Sequence, residues 1–476
     1  MRKTKVILFS LTALLLFISL IQKQFHVIHF KHLEGVVYEV GMPKLTFASF
    51  CDGSFQSQTE RHLKQQFGFR EPLIRFYNQY LWDFYGKTHA IPYQFVEGKD
   101  GWLYEPWFVE EYYQGRSYRV NVDSAEVLKR FEKEALRVYQ LQHILDSYGV
   151  KMFVCLLPGK DMIYPEYLPE NTKYFKKNQV KAYDFYSRKF KEMGINYIDM
   201  AEWFVQMKDT ASFLLFPQKG THWSNMAAVY AADSIFRYME QLGGIEMNDL
   251  DISEPYVGKV KKPDDDLESL MNLIRPLEKI PHQYVDVKAK EVPNAVKPKM
   301  ITIGDSFYWN ILNQFETKVF FSSNPFWYYS STIYFDEPND SVKNVDVPEE
   351  LLSADFVMFS YCTAQAYTLG DGLLDDAVFS FCYDEDEVEE IWNNLINSIL
   401  TNKEWKADIE RKAAEKHHTF DEELENNAKW FLFNRAERFY PALFDSIPVK
   451  RSGKLLRKQM QRQGQEPIEH SFEPKQ

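Results

Sequence analysis

Only four cysteines occur in 476 residues, Cys51, Cys155, Cys362 and Cys382, and they are scattered without CxxC or CxxH spacing. That leaves no readable zinc site and no disulfide framework, so no metal is expected. Cys155 and Cys362 lie inside apolar runs and read as small buried hydrophobes. Positive charge is also short: 56 Lys and Arg stand against 68 Asp and Glu, a net charge of −12. A protein that neutralises phosphates needs a basic face or stripe, and nucleic acid is therefore not an expected partner. No glycine-rich phosphate loop is present to cradle a nucleotide-activated donor, so no cofactor is expected either. Internal repeats are absent.

One strongly apolar run is there, VILFSLTALLLFISLI at 6–21, with Arg2, Lys3 and Lys5 before it and Gln22 and Lys23 after it. A basic flank ahead of an apolar run directs export with the N-terminus left in the cytoplasm. The run is short for a comfortable span and lacks an A-x-A cleavage site, so signal anchor and signal peptide both stay open, cleaved or not. Residues 1–25 are accordingly assigned to membrane attachment, facing the body of the chain to the periplasmic, extracytoplasmic side of the inner membrane.

Past this segment, residues 26–90 form an N-terminal helical unit. Leu63, Phe67, Leu73, Phe76, Tyr80 and Phe84 recur at intervals of three to four, which predicts an amphipathic stretch packed against the main domain. QFVEGKDGWLYE then reads as a hairpin turning at Lys99-Asp100-Gly101. From 91 to 370 helical patterns alternate with continuous apolar strands: a helix to Gly149 followed by KMFVCLLP, a helix to Gly194 followed by NYIDM, a helix over 223–242, then MITIGDSF and DFVMFSYC. Such alternation predicts an α/β domain with a parallel sheet covered on both faces, and functional groups gather at the carboxyl ends of its strands. The charged stretch 252–299 reads as an insertion or loop system inside this domain. Residues 371–476 form a helical C-terminal appendage ending in the basic tail VKRSGKLLRKQMQR.

Two short stretches carry chemistry. Ile301-Thr302-Ile303-Gly304-Asp305-Ser306-Phe307 places a serine just past a buried strand, where its hydroxyl emerges at the sheet edge and backbone N–H groups of the following turn can meet an oxyanion. A bare GDS equally suits a helix N-cap. Gly220-Thr221-His222-Trp223-Ser224 offers an imidazole at another helix start, although a lone histidine beside a tryptophan is more often a packed structural residue.

The ordered set GKDGWLY (98–104), LLPGKDMIYPEYLP (156–169), GINYIDM (194–200), THW (221–223) and GDSF (304–307) resembles the alginate O-acetyltransferase-related proteins with an SGNH-hydrolase-like domain, over roughly residues 50–370. The resemblance implies an SGNH-hydrolase-like three-layer sandwich in permuted order, the histidine motif ahead of the serine motif. It implies an exported protein that O-acetylates a cell-surface polysaccharide through an acyl-enzyme, with Ser306 as nucleophile, His222 as base, and Thr221 and Trp223 as supports. The family usually carries Asp two residues before the histidine, and this chain has Gly220. The expectation is therefore a Ser-His dyad, or an orienting carboxylate recruited from Asp161, Asp199 or Asp305. Lys160 could attract an anionic glycan or be a solvated lysine; Asn310 could line an acceptor groove or pack. Thr363 and Gln365 have only their position past a strand to recommend them. The acyl donor is expected from a membrane-bound partner. Gly220 keeps alive a non-catalytic glycan-binding or assembly protein with a degenerate site, and water competing for the acyl group keeps alive a carbohydrate acetylesterase.

Overall fold

A computed structural model of the chain describes residues 2–35, 40–86, 95–115, 124–170, 180–278, 280–334, 339–370, 372–382, 385–416 and 418–439. The basic tail 449–462 lies outside the described residues. Along the chain the helices used below are α1 (Arg2–Phe25), α2 (Ser54–Gln65), α3 (Arg70–Tyr85), α4 (Pro106–Gln114), α5 (Ser124–Asp146), α6 (Ala182–Met193), α7 (Met200–Met207), α8 (Asn225–Gly243), α9 (Asp266–Leu270), α10 (Phe307–Leu312), α11 (Leu373–Cys382), α12 (Glu385–Thr401), α13 (Lys403–Lys416) and α14 (Phe420–Phe439). The strands are β1 (Lys151–Leu157), β2 (Tyr197–Asp199), β3 (Met300–Gly304), β4 (Phe326–Tyr328), β5 (Thr332–Tyr334), β6 (Asp340–Ser341) and β7 (Phe356–Cys362).

These strands form one seven-stranded sheet in the order β6-β5-β4-β3-β7-β1-β2. Neighbours from β4 through β2 pair in parallel, whereas β5 and β6 pair antiparallel at one edge. The sheet is thus mixed where a parallel one was expected. The cause is local: only Tyr329, Ser330 and Ser331 separate β4 from β5, too few for the crossover that a parallel pair requires.

The central strands are apolar throughout because both faces are covered. On β7, Val357, Phe359 and Tyr361 enter one core with α5, α6 and α11, while Phe356, Met358 and Cys362 enter the other with α8 and α10. β1 divides in the same way, Met152, Val154 and Leu156 against Phe153, Cys155 and Leu157. Helices lie on both faces, giving three layers. Residues 249–290 are more ordered than a loop system: Asp249–Ile252 pairs with Val287–Lys290, Tyr256–Gly258 pairs with His282–Tyr284, and α9 lies between.

Helices α12, α13 and α14 enclose a small core of Ile399, Ile409, Leu424 and Ala428. Trp392 and Leu395 touch both it and the main core. At the other end of the chain, Thr4–Phe25 is long and apolar enough to cross a membrane, about 33 Å at 1.5 Å per residue. The segment after it departs from expectation. Leu63, Phe67, Leu73, Phe76, Tyr80 and Phe84 are exposed instead of packed: α2 buries no residue, and α3 turns Asn78 and Gln79 to the domain. Asn78 and Gln79 are the buried residues of α3: Asn78 Nδ2 donates to Met271 O at 2.9 Å, and Gln79 Oε1 accepts from Arg275 N at 2.9 Å.

Candidate active site

The serine turn is fixed by a close approach. β3 pairs with β7 through Gly304↔Ser360, and a Cβ at Gly304 would lie 2.1 Å from Ser360 O, so only glycine ends this strand without displacing its neighbour. Asp305, fully buried, latches the turn into α10: Oδ1 accepts from Phe307 N at 3.0 Å and Oδ2 from Cys362 N at 2.7 Å. Ser306 then sits at the carboxyl end of β3, immediately before α10. Beside it, Tyr329 and Ser330 both hold left-handed backbone at φ 47° and 51°, a strained pair of non-glycine residues, and Tyr329 N donates to Gly304 O at 2.9 Å. Burial pushes the Tyr329 phenol up.

His222 reaches Ser306 from the loop before α8. Its Nε2 lies 2.8 Å from Ser306 Oγ, and its Nδ1 lies 2.8 Å from Asp266 Oδ2. Asp266 opens α9, and its other oxygen accepts from Thr221 N at 2.8 Å and Leu267 N at 2.7 Å. Those bonds fix the carboxylate so that one oxygen faces the imidazole. Burial lowers the His222 pKa, but the hydrogen bond and charge of Asp266, with Glu105 and Asp305 nearby, outweigh it and the net shift is upward. Glu105, which precedes α4, is pushed up to about 7 by burial; His222 pulls it back down and Asp266 adds to the rise.

Asp266 therefore stands where Asp161, Asp199 or Asp305 was expected, and each of those three is engaged elsewhere. Asp161 is buried and raised to about 7 by burial, with Lys181 and Glu111 as its charged neighbours. Asp199 caps α7, accepting from Glu202 N at 2.9 Å, and receives the Tyr183 hydroxyl at 3.1 Å. Asp305 serves the serine turn. Nothing flagged Asp266 in the sequence beyond the acidic run PDDDLES at a helix start, 44 residues after the histidine. Glu105 and Tyr329 carried no sequence signal at all.

Gly220 explains how Asp266 arrives. A Cβ at that position would meet Asp264 O and Pro217 Cγ, both at 2.8 Å, so the glycine is what lets the backbone leading into α9 close on the histidine loop. Glu268 N donates to Lys219 O at 3.2 Å on its other side. Lys160 holds the same loop from within. It is fully buried, and its Nζ donates to Leu103 O at 2.7 Å, Gln218 O at 3.1 Å and Gly220 O at 2.7 Å. Burial pushes the Lys160 pKa well down, and with its Nζ turned to three carbonyls Lys160 neither meets solvent nor faces a glycan. Trp223 is a core residue against Phe204 and Phe307, and Asn310 is buried with its Nδ2 donating to Trp223 O at 3.3 Å, tying the serine helix to the histidine loop. Thr363 and Gln365 are buried past β7. Among the described residues no cluster of His, Cys, Asp and Glu could hold a metal.

Among known proteins, the family model described as the SGNH hydrolase-like domain of the acetyltransferase AlgX matches residues 95–307. Solved structures similar to the chain include the O-acetyltransferase domain of Pseudomonas putida AlgJ, at 16% identity and TM-score 0.38, covering 57% of this chain and 92% of that one. Pseudomonas aeruginosa AlgX is similar at 13% identity and TM-score 0.37, covering 58% and 67%. Bacillus cereus PatB1 is similar at 12% identity and TM-score 0.35, covering 57% and 96%. No curated protein sequence matches the chain. Over residues 95–307 the chain carries an SGNH hydrolase-like domain that resembles that of the acetyltransferase AlgX, and Asp266, His222 and Ser306 all lie within it.

Proposed function

We propose that the protein is an extracytoplasmic O-acyltransferase, moving an acetyl group onto a hydroxyl of a cell-surface polysaccharide through a serine ester. The observation that carries this reading is the continuous relay of 2.8 Å contacts from Asp266 through His222 to Ser306. Ser306 Oγ attacks the carbonyl carbon of the acyl donor while its proton passes to His222 Nε2. Asp266, bonded to Nδ1–H, favours the tautomer that leaves Nε2 free to accept and stabilises the imidazolium that results. The N–H groups of Phe307, Tyr308 and Trp309 are already bonded within the turn, which leaves that of Ser306 to meet the oxyanion. His222 returns its proton to the leaving group. It then takes the proton of the incoming sugar hydroxyl, whose oxygen attacks the ester carbon, and hands that proton to Ser306 as the acyl group departs.

A donor delivered by a membrane-bound partner suits a domain tethered by α1, and the polysaccharide would be met on the same side of the membrane. The test is acetyl release from 4-nitrophenyl acetate by the full chain in detergent. The expected result is that Ser306→Ala and His222→Ala both fall to the uncatalysed background, with transfer to an added oligosaccharide lost in parallel. Equal rates for the wild type and both variants would overturn the reading.

A further inference from the structure

Helix α3 is amphipathic in the wrong sense for a water-soluble surface. Leu73, Phe76, Tyr77, Tyr80 and Phe84 recur at helical spacing on one stripe and are all exposed, Phe76 at 65% and Phe84 at 71%. The opposite face carries Asn78 and Gln79, which are buried against residues 271–275, and Trp82, which packs with Leu267 and Met271. A helix that buries amides and shows aromatics has its apolar face turned away from its own domain, toward an apolar environment outside it. The stripe continues onto α2, where Leu63 is 60% exposed and a groove of about 790 Å³ opens between Phe55, Leu63, Phe67, Leu73 and Ile74.

The position of α1 says what that environment is. The turn joining α2 to α3 packs on the last two turns of α1: a Cβ at Gly68 would meet Ser19 O at 2.3 Å and Lys23 N at 2.8 Å. Phe69 and Phe30, just past α1, stand with ring centroids 5.8 Å apart. The turn from which the exposed stripe runs therefore lies against the end of the apolar helix, beside Lys23. We propose that α2 and α3 form an interfacial hairpin whose Phe, Tyr and Leu stripe is immersed in the headgroup and upper acyl region of the lipid bilayer. Phe and Tyr beside Arg61, Lys64 and Arg70 is the composition such a depth favours. The inference rests on the reading that α1 crosses the membrane.

The test uses the full chain, with Cys51 and Cys382 replaced by serine, reconstituted alone into phosphatidylethanolamine/phosphatidylglycerol vesicles. A nitroxide is attached singly through Leu14→Cys, Phe76→Cys, Phe84→Cys or Val257→Cys, and its collision rates with oxygen and with a water-soluble nickel chelate are measured. Leu14 reports the span, and Val257, 69% exposed on the two-stranded sheet beyond α8, reports water. Lipid immersion is expected to raise the oxygen-to-nickel ratio at Phe76→Cys and Phe84→Cys several-fold above that at Val257→Cys. A water-like ratio at both, with a lipid-like one at Leu14→Cys, overturns the hairpin and leaves the anchor standing. Shielding from both reagents at Phe76→Cys and Phe84→Cys means that protein covers the stripe, either a second copy or another part of this chain, and overturns it too. A water-like ratio at Leu14→Cys overturns the anchor and the hairpin together.

Discussion

At the scale of the residue, an absent carboxylate and the glycine in its place are one structural fact. Gly220 has no side chain, and for that reason Asp264 O can approach its Cα and carry Asp266 to the far side of the imidazole. Adding a carboxylate at 220 should therefore do harm. Gly220→Asp is expected to push the backbone into α9 away, costing about 1–3 kcal/mol by overpacking and cutting esterase turnover by roughly tenfold or more as Asp266 loses its place. Thermal unfolding and 4-nitrophenyl acetate turnover check both; a rate above wild type would show that the loop tolerates the side chain. The pH profile tests Asp266 itself. As the proposed base His222 must be neutral to act; burial lowers its pKa, but Asp266 above all, with Glu105 and Asp305 adding to it, makes the net shift upward. Activity should climb with pH through that raised value. Asp266→Asn removes the cause, so the acid limb of kcat/KM should move to lower pH while the plateau falls by roughly 10²–10⁴-fold. A limb that stays in place would mean another group orients the ring.

At the scale of the element, what was legible in the sequence was whatever obeyed a period or a local stop signal. β1, β3 and β7 were readable as apolar runs because both faces of the sheet are covered, and α5 and α6 because Gly149 and Gly194 hold positive φ at or just past their ends, while α8 was readable from its helical pattern over 223–242. Ser306 and His222 were readable through ordered motifs, and Asp266 was not, because a triad is assembled in space. The carboxylate comes from a stretch that sequence alone marks only as charged and rich in turns, and its neighbours Thr221 and Leu267 fix it through backbone N–H groups that have no sequence signature. Lys160 shows the same blindness from the opposite side. A lysine after a strand reads as solvated, and only the convergence of three carbonyls shows why this one is buried. The β4–β5 turn hid the change to antiparallel pairing because Tyr329 and Ser330 are not the residues that usually adopt left-handed backbone. In α3 the period was legible and the direction was not: spacing reveals a stripe, but not which side of the helix meets the protein.

At the scale of the whole molecule, that reversed helix links the segment packed on α1 to the carboxylate that faces His222. α3 grips the chain immediately after Asp266: Asn78 holds Met271 O, Gln79 holds Arg275 N, Trp82 packs on Leu267 and Met271, and Asp83 pairs with Arg275 at 2.5 Å. Leu103, in the same apolar cluster, offers its carbonyl to Lys160, which in turn holds Gly220. Both walls of the histidine loop thus meet the apolar cluster against which Trp82 of α3 packs. Loosening that helix should then be felt at the triad without any change in the residues that bind an ester. Asn78→Leu keeps the size of the side chain and leaves the buried Met271 carbonyl without its donor, a cost of about 1–3 kcal/mol. The expected kinetic result is a several-fold drop in kcat for 4-nitrophenyl acetate with KM nearly constant, because α9 shifts while the acyl-binding surroundings of Ser306 do not. Val257→Ser, far from this brace, should alter neither. If Asn78→Leu lowers the melting temperature yet leaves kcat at the wild-type value, the brace holds the fold and not Asp266, and the two ends of the molecule are mechanically separate.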